Sequence, residues 1–167
     1  MTTAWKTQHR RSAVIRDVLV RLERTRDGRL PWDETSGAAE VFGEPGGLLR
    51  ALQLAWFTRL TAALDLAMER GDPDPVESVQ MAWYDLAWRY PGLRRLLDDH
   101  QHDGAVAPGR LQEHRVLAVS AGLATLDEPP AVAAARGRLL VSAHRSALTS
   151  RGWLAALLGL RPTGSAA

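Results

Sequence analysis

Cysteine is missing from this chain of 167 residues, which excludes a disulfide scaffold, a zinc site built on thiolates and a cysteine nucleophile. Long apolar runs are missing too. The longest candidates are interrupted by Arg50, Gln53 and Arg59 or, at 152–160, are too short, whereas a membrane span needs roughly 18 apolar residues. The first eleven residues lack the apolar segment of a signal peptide. We therefore expect a cytoplasmic protein without a membrane span.

Lysine is almost absent as well, since arginine supplies 20 of the 21 basic residues. The net charge of +2 is unevenly distributed: residues 1–29 carry a balance of +5, residues 30–128 a balance of −8 and residues 129–167 a balance of +5. The high isoelectric point reflects the permanently charged guanidinium groups more than a large excess of positive charge. Charge alone therefore does not indicate a nucleic-acid-binding protein.

Helical periodicity runs through the chain, and no segment shows the alternation of a β-strand. Apolar residues make up 46% of the sequence, which is enough to build a core. The pattern predicts an all-α protein, a single helical-bundle domain of about six to seven helices. The predicted helices cover residues 3–26, 36–42, 45–71, 75–90, 93–97, 108–126 and 131–160.

Three regions follow from the composition and the helix signals. Residues 1–44 comprise a basic first helix and a short irregular segment, residues 45–161 a helical core and dimerisation region, and residues 162–167 a disordered tail. The clearest helix start is Asp74-Pro75-Val76-Glu77, because aspartate suits the N-cap, proline the first helical position and glutamate the third.

An aromatic set on the third and fourth predicted helices is the candidate ligand pocket. Its residues are Trp56, Arg59, Trp83, Tyr84 and Trp88. Indole and phenol groups can line a pocket for a flat apolar molecule while their polar tips orient it. The alternative is that these side chains fill the helical core.

The acidic and histidine-rich run at 98–103 contains Asp98, Asp99, His100, His102 and Asp103, which are ligand types for zinc or another divalent metal. The alternative, which we favour, is a solvated loop that ends a helix, because the histidine spacing does not aim two rings from one helix at one ion. The chain also lacks a nucleophile elbow, a P-loop and a dinucleotide-binding glycine pattern. We therefore expect no catalytic residues, no metal and no cofactor, and a protein that is not an enzyme.

The apolar stretch at 152–160 is the candidate homodimer interface. Its central residues are Trp153, Leu154, Leu157 and Leu158. Core packing and contact with a membrane surface are the alternatives. A charge introduced by Leu157→Glu would appear twice across a two-fold axis, so we expect that substitution to convert a dimer into a monomer.

Three stretches of the chain resemble the TetR family of bacterial transcription regulators. The first is the basic and then apolar opening at 10–19, RRSAVIRDVL. The second, FGEPGGLLRA at 42–51, is similar to the family's Phe-x-x-Lys-x-x-Leu-Leu entry into a long helix. The third is the proline-centred junction YPGLRRLL at 90–97. The resemblance implies a helical ligand-binding and dimerising protein joined to a helix-turn-helix reading head.

The chain departs from the family where DNA would be read. Only about fifteen residues separate the first helix from Phe42, and they contain Pro31 and Gly37, whereas a reading head needs two more helices there. Pro45 stands where the family has a phosphate-binding lysine. The resemblance therefore implies a shortened or degenerate reading head, in which basic side chains touch phosphates without discriminating bases. The candidates for phosphate contact are Lys6, Arg10, Arg11 and Arg16.

The leading hypothesis is thus a TetR-like helical regulatory or ligand-binding protein without sequence-specific DNA reading. It predicts a homodimer, an apolar small-molecule ligand, and at most weak, salt-sensitive, non-specific binding to nucleic acid. One alternative is a helical adaptor that binds a protein partner through its basic first helix or its apolar C-terminal segment. A third hypothesis is a metal-assisted enzyme that uses the residues at 98–103.

Overall fold

The computed structural model describes residues 3–71 and 73–142, and every regular element among them is a helix. Six helices have defined ends: α1 (Thr3–Thr25), α2 (Ala38–Phe42), α3 (Pro45–Glu69), α4 (Pro75–Arg89), α5 (Pro91–Asp99) and α6 (Ala107–Ser120). A seventh, α7, begins at 130 and is helical to 142, the last described residue. The predicted fold class is confirmed. No helix of the described residues is long and apolar enough to span a membrane.

Prolines and a capping aspartate set the ends of α4. The Asp74 carboxylate accepts hydrogen bonds from the backbone N–H of Val76 at 2.9 Å and of Glu77 at 3.1 Å, while Pro75 occupies the first helical position. At the other end, Tyr90 leaves the helical region with φ −127°, because a proline disfavours the α conformation of the residue before it. Pro91 then begins α5. The predicted helix at 75–90 is confirmed to within one residue, whereas α5 begins two residues before the predicted helix at 93–97.

The start of α5 is seated on the end of α1. Glu23 accepts hydrogen bonds from the backbone N–H of Gly92 and of Leu93, both at 3.0 Å, and so satisfies two donors that a helix start leaves without partners. A Cβ on Gly92 would lie 2.1 Å from the carbonyl oxygen of Leu22. Only glycine allows this close approach, which fixes α5 against α1.

The predicted helix at 108–126 is wrong at its C-terminal end, since α6 ends at Ser120. Gly122 adopts φ +68°, its N–H donates to the Val119 carbonyl at 3.0 Å, and the Leu123 N–H donates to the Ala118 carbonyl at 2.8 Å. These two bonds form the glycine-based cap that commonly ends a helix. The apolar periodicity that continues to Leu126 masked this stop signal.

The core lies where α3 packs on α1, α4, α5 and α6. Trp56 and Leu60 of α3, Leu93 of α5 and Leu117 of α6 are all fully buried. The apolar side of α3 is buried at Leu49, Leu52, Trp56, Leu60 and Ala67, whereas Ala63 is half-buried and Met68 is exposed. One face of α3 is therefore left free beside α4.

Candidate functional site

A buried charge cluster lies where four helices meet. Glu113 of α6 accepts three hydrogen bonds: from the Trp83 indole N–H at 2.9 Å, from an Arg94 guanidinium N–H at 3.1 Å and from the Gln53 amide at 3.3 Å. The exposed fraction is 2% for Glu113, 7% for Arg94 and 3% for Gln53. One carboxylate therefore links α3, α4, α5 and α6 through side chains.

Arg94 connects this carboxylate to its surroundings. Its second terminal nitrogen donates to Asp98, one turn further along α5, at 3.0 Å. Its guanidinium carbon lies 4.8 Å from the ring centroid of Trp56 and 5.7 Å from that of Trp83, within the range of cation–π attraction. Two carboxylates and two indole rings thus compensate the charge of a guanidinium that has lost most of its water.

The cluster keeps Glu113 ionised at neutral pH. Burial by itself raises the pKa of the Glu113 carboxyl, but the Arg94 guanidinium, the Trp83 indole N–H and the adjacent His114 together hold that pKa below its ordinary value. The direction is that expected for a buried carboxylate whose oxygens receive hydrogen bonds from a cation and an N–H group. Arg94 and Glu113 therefore form a true ion pair.

Beside the cluster is a cavity of about 310 Å³, which is at the lower end of the range for small-molecule sites. Trp83, Arg94 and Glu113 line its inner side, and Arg110, His114 and Arg138 also contribute to its wall. The Arg138 side chain is exposed and the Arg110 side chain is half-buried. Three arginines, Arg94, Arg110 and Arg138, and two carboxylates, Asp98 and Glu113, line the cavity, which gives it a formal charge of +1.

The pKa of the His114 imidazole is shifted by the burial and the charges at this cavity. Burial lowers the pKa of the imidazole, and although Glu113 acts in the opposite direction, the nearby guanidinium groups of Arg110, Arg94 and Arg138 lower it further. The net pKa is below the ordinary value of 6.5. His114 is therefore neutral at pH 7 and can donate one hydrogen bond and accept another.

We expect His114 to make the protein less stable as the pH falls below its ordinary pKa of 6.5. The unfolded chain takes up a proton on this side chain at a higher pH than the folded chain does, so acidification favours unfolding. Urea denaturation at pH 7.5, 6.5 and 5.5 should show a falling free energy of unfolding. His114→Gln should flatten that dependence, and His102→Gln, at an exposed position, should leave it as in the parent. If the free energy of unfolding of His114→Gln depends on pH as strongly as that of the parent, the lowered pKa of His114 is contradicted.

A second concavity, of about 640 Å³, is a surface groove between α3 and α4. Four alanines, Ala62, Ala63, Ala67 and Ala82, line it with small side chains, and longer side chains come from Arg59, Leu66, Met81 and Asp85. Leu66 and Met81 are 51% and 47% exposed. The groove is thus an accessible surface with an apolar centre.

The structure brings only three residues of the predicted aromatic pocket, Trp56, Trp83 and Tyr84, into contact with one another. Trp56 is fully buried and packs edge to face on Trp83, with ring centroids 6.0 Å apart, while Tyr84 lies 4.9 Å from Trp83 and donates to the Val141 carbonyl oxygen of α7. Arg59 faces the α3–α4 groove. Trp88 is 87% exposed. The prediction that these residues share one apolar pocket is corrected, because helix packing buries Trp56 as core and leaves Trp88 outside.

The predicted phosphate contacts are on α1, where two of them already have partners. Arg10 forms an ion pair with Glu40 of α2, and the Arg11 guanidinium lies 4.8 Å from the ring centroid of Phe42. Arg16 is exposed, and the side chain of Lys6 is outside the described residues. The structure therefore brings Arg10 and Arg11 to α2, and it leaves Arg16, the third described candidate, exposed on α1.

The side chains at 98–103 interact with residues close to them in the sequence. Asp98 pairs with Arg94 and Asp99 with Arg95, a ring nitrogen of His100 lies 2.9 Å from the Leu96 carbonyl oxygen, and Asp103 accepts from the Ala105 N–H. No group of three metal-ligating side chains occurs among the residues that the structure describes. The predicted dimer residues Trp153, Leu154, Leu157 and Leu158 lie outside those residues.

Sequence reasoning missed Glu113 and Gln53, although a signal was present. Both are polar residues on otherwise apolar helical stripes: Glu113 stands between Val106 and Leu117 on the buried side of α6, and Gln53 between Leu49 and Trp56 on α3. A charged or amide side chain at a core-facing position needs a buried partner. A useful sequence signal is therefore a pair of oppositely charged residues that both occupy core-facing positions, here Glu113 and Arg94.

Comparisons with known proteins give no relative. No protein-family model matches the chain, and searches of curated proteins and of solved structures find no significant match. The TetR resemblance therefore stays a prediction that depends on the three quoted stretches.

Proposed function

We propose that this chain is a TetR-like helical regulatory protein that binds a small anionic ligand in the cavity beside Trp83, Arg94 and Glu113, and that it acts without sequence-specific DNA reading. The observation that carries the proposal is the cavity itself, which combines an indole wall with the guanidinium groups of Arg110 and Arg138. Its three arginines and two carboxylates leave a formal charge of +1, and neither Arg110 nor Arg138 forms an ion pair among the described residues. Charge-assisted hydrogen bonds from arginine are the usual means of holding a carboxylate or a phosphate. The ligand is thus polar, unlike the apolar molecule expected from the aromatic residues alone.

Binding in this cavity would join three helices. Arg110 belongs to α6 and Arg138 to α7, while Arg94 of α5 is on the inner side. The α6 and α7 backbones already approach closely, because a Cβ on Gly137 would lie 1.8 Å from the His114 carbonyl oxygen. An anion held by Arg110 and Arg138 would fix the orientation of α7 relative to α6, which is a means of regulation through the C-terminal part of the chain.

The segment between α1 and α3 supports the absence of sequence-specific reading. It contains one short helix, α2, whose five residues AAEVF include no basic side chain, and Glu40 of that helix is paired with Arg10. A recognition helix needs side chains that reach base edges in the major groove. The basic residues of α1 then provide at most non-specific attraction to phosphates.

We assign the protein no catalytic step, since the Glu113 carboxylate is held by donors from Trp83, Arg94 and Gln53. The alternative of a helical adaptor has its own support in the exposed apolar side chains Leu66, Met81 and Trp88. That alternative does not need the cavity, so ligand binding distinguishes the two functions.

The ligand proposal predicts that small carboxylates or inorganic phosphate raise the melting temperature of the full chain. A ligand at 100 times its Kd stabilises by about 2.7 kcal/mol, which corresponds to roughly 5–10 °C for a domain of this size. Arg138→Gln should abolish the rise with little effect on the melting temperature of the free protein, because the side chain is exposed. Arg24→Gln, a matched change on exposed α1 surface, should respond like the parent.

Calorimetric titration of the same compounds gives the second measurement. Failure of acetate, benzoate, small dicarboxylates and phosphate to bind would contradict an anion site. An unchanged response in Arg138→Gln would place binding elsewhere.

A further inference from the structure

The face formed by α3 and α4 is distinct from the proposed ligand cavity. The two helices are consecutive and antiparallel, so residues at equal distance from the connection between them lie at similar heights. Trp56 packs on Trp83 and the Arg59 guanidinium lies 5.0 Å from the Tyr90 ring centroid, which places the two helices side by side. The groove runs along this pair of helices.

Large apolar side chains are exposed on this face. Leu66 lies on the α3 side and Met81 on the α4 side of the groove, at exposed fractions of 51% and 47%. Trp88, which is 87% exposed, follows Met81 by seven residues and so lies on the same side of α4. Apolar side chains that share one face, with charged residues around them, mark an interaction surface more often than single exposed ones do.

The charges of the groove differ between its two walls. Arg59 and Arg70 lie on the α3 side, whereas Glu77 and Asp85 lie on the α4 side, and no ion pair involves any of these four among the described residues. Counted along the chain from the connection between the helices, Arg59 is expected at about the height of Asp85, and Arg70 at about the height of Glu77. The α4 wall also has one cation, Arg89, which lies one turn beyond Asp85.

We propose that a second copy of this chain occupies the groove, in a dimer whose two-fold axis runs along the helices. In this arrangement α3 of one copy faces α4 of the other at the same height, so that Arg59 meets the partner's Asp85 and Arg70 meets the partner's Glu77. Met81 of each copy then lies opposite Ala62 and Ala63 of the other, where the small side chains leave room for it. An axis across the helices would instead bring Arg59 against Arg70.

Self-complementarity favours a second copy over an unrelated protein. An isologous interface requires that one surface carry both halves of every contact, and this groove has Arg59 and Arg70 on its α3 wall, Glu77 and Asp85 on its α4 wall and an apolar centre. Opposed charges across an interface select the partner and its register. The surface differs from the C-terminal stretch predicted from the sequence, so the two interfaces can be separated experimentally.

The test is a charge-reversal cycle on the full chain, with the dimer constant measured by sedimentation equilibrium. The parent should dimerise. Asp85→Arg and Arg59→Glu should each weaken dimerisation by about tenfold or more, because each puts two like-charged pairs into the interface. The double variant should recover the parent's dimer constant to within a few fold, and this recovery is specific to the proposed pairing.

Asp65→Arg is the matched control, since it reverses the same charge at an exposed α3 position that does not line the groove, and it should dimerise like the parent. Circular dichroism at a concentration below the dimer constant checks that each variant is folded. If a reversal fails to fold, the milder pair Asp85→Asn and Arg59→Gln should still weaken the dimer.

A parent that stays monomeric at the highest attainable concentration would overturn the proposal. So would a dimer that tolerates both reversals, or a double variant as weak as the singles. If Leu157→Glu dissociates the dimer while Asp85→Arg does not, the interface is the C-terminal stretch and the α3–α4 assignment is wrong.

Discussion

Replacing Glu113 with alanine is expected to destabilise the protein by about 3–5 kcal/mol, the typical cost of removing one member of a buried ion pair. The substitution leaves the Arg94 guanidinium buried with only Asp98 as a charged partner, and it also removes the acceptor of the Trp83 indole N–H and the Gln53 amide. Total stabilities of domains are about 5–15 kcal/mol, so this loss is a large fraction. Urea denaturation followed by circular dichroism at pH 7.5 measures it.

The matched control changes both partners together. Glu113→Leu with Arg94→Met removes the two charges and keeps their approximate volume, and buried pairs replaced in this way often lose little or no stability. The double variant should therefore be clearly more stable than Glu113→Ala. If Glu113→Ala costs under about 1 kcal/mol, in the range of an exposed ion pair, water reaches the cluster and the assignment of a buried pair is wrong.

The ion pair between Glu113 and Arg94 also makes the stability of the protein depend on pH in acid. Because the pKa of Glu113 is lowered on folding, its stabilising contribution is present above the ordinary glutamate pKa and is lost as the pH falls through the folded value. This loss comes at lower pH than the one from His114. Both act in the same direction, so acidification should destabilise the protein in two steps.

Trp56→Ala is expected to cost about 3–5 kcal/mol as well, although no charge is involved. Trp56 is fully buried, packs edge to face on Trp83 and lies under the Arg94 guanidinium. Removing the indole leaves a cavity at the centre of the molecule and exposes one side of the ion pair. Urea denaturation measures the loss.

Trp88→Ala is the matched control for this prediction. It makes the same chemical change at a side chain that is 87% exposed, where substitutions usually change stability by less than about 0.5 kcal/mol. Equal losses in the two variants would contradict the placement of both residues. In the proposed dimer Trp88 lies at the edge of the interface, so these measurements belong at a concentration where the chain is monomeric.

Local signals in the sequence predicted much of the fold. Asp74, Pro75 and Pro91 act through backbone chemistry within a few residues, and both ends of α4 fall where they indicate. Gly122 carried the same kind of signal but was hidden by apolar residues on both sides. The irregular stretch before α3 was also expected, and the structure contains one short helix there.

The candidate site was only partly predictable. Trp83 was predicted to line a ligand pocket, and its ring does line the cavity. The buried ion pair of Glu113 and Arg94 beside it was not predicted. Glu113 is bonded to residues 19, 30 and 60 positions away along the chain. Helical periodicity assigns a residue to a face of its own helix and does not specify the partner that the face meets.

The sequence by itself determined the all-helical class and most helix ends, because caps, prolines and apolar spacing act over one or two turns. The tertiary structure alone decided that Glu113 and Arg94 form a buried ion pair, that Trp56 is core while Trp88 is exposed, and that the α3–α4 face is left open. The physical reason is that burial depends on which helices pack together and at what height. Those contacts join residues far apart in the chain, and their free energies depend on the removal of water from both partners at once.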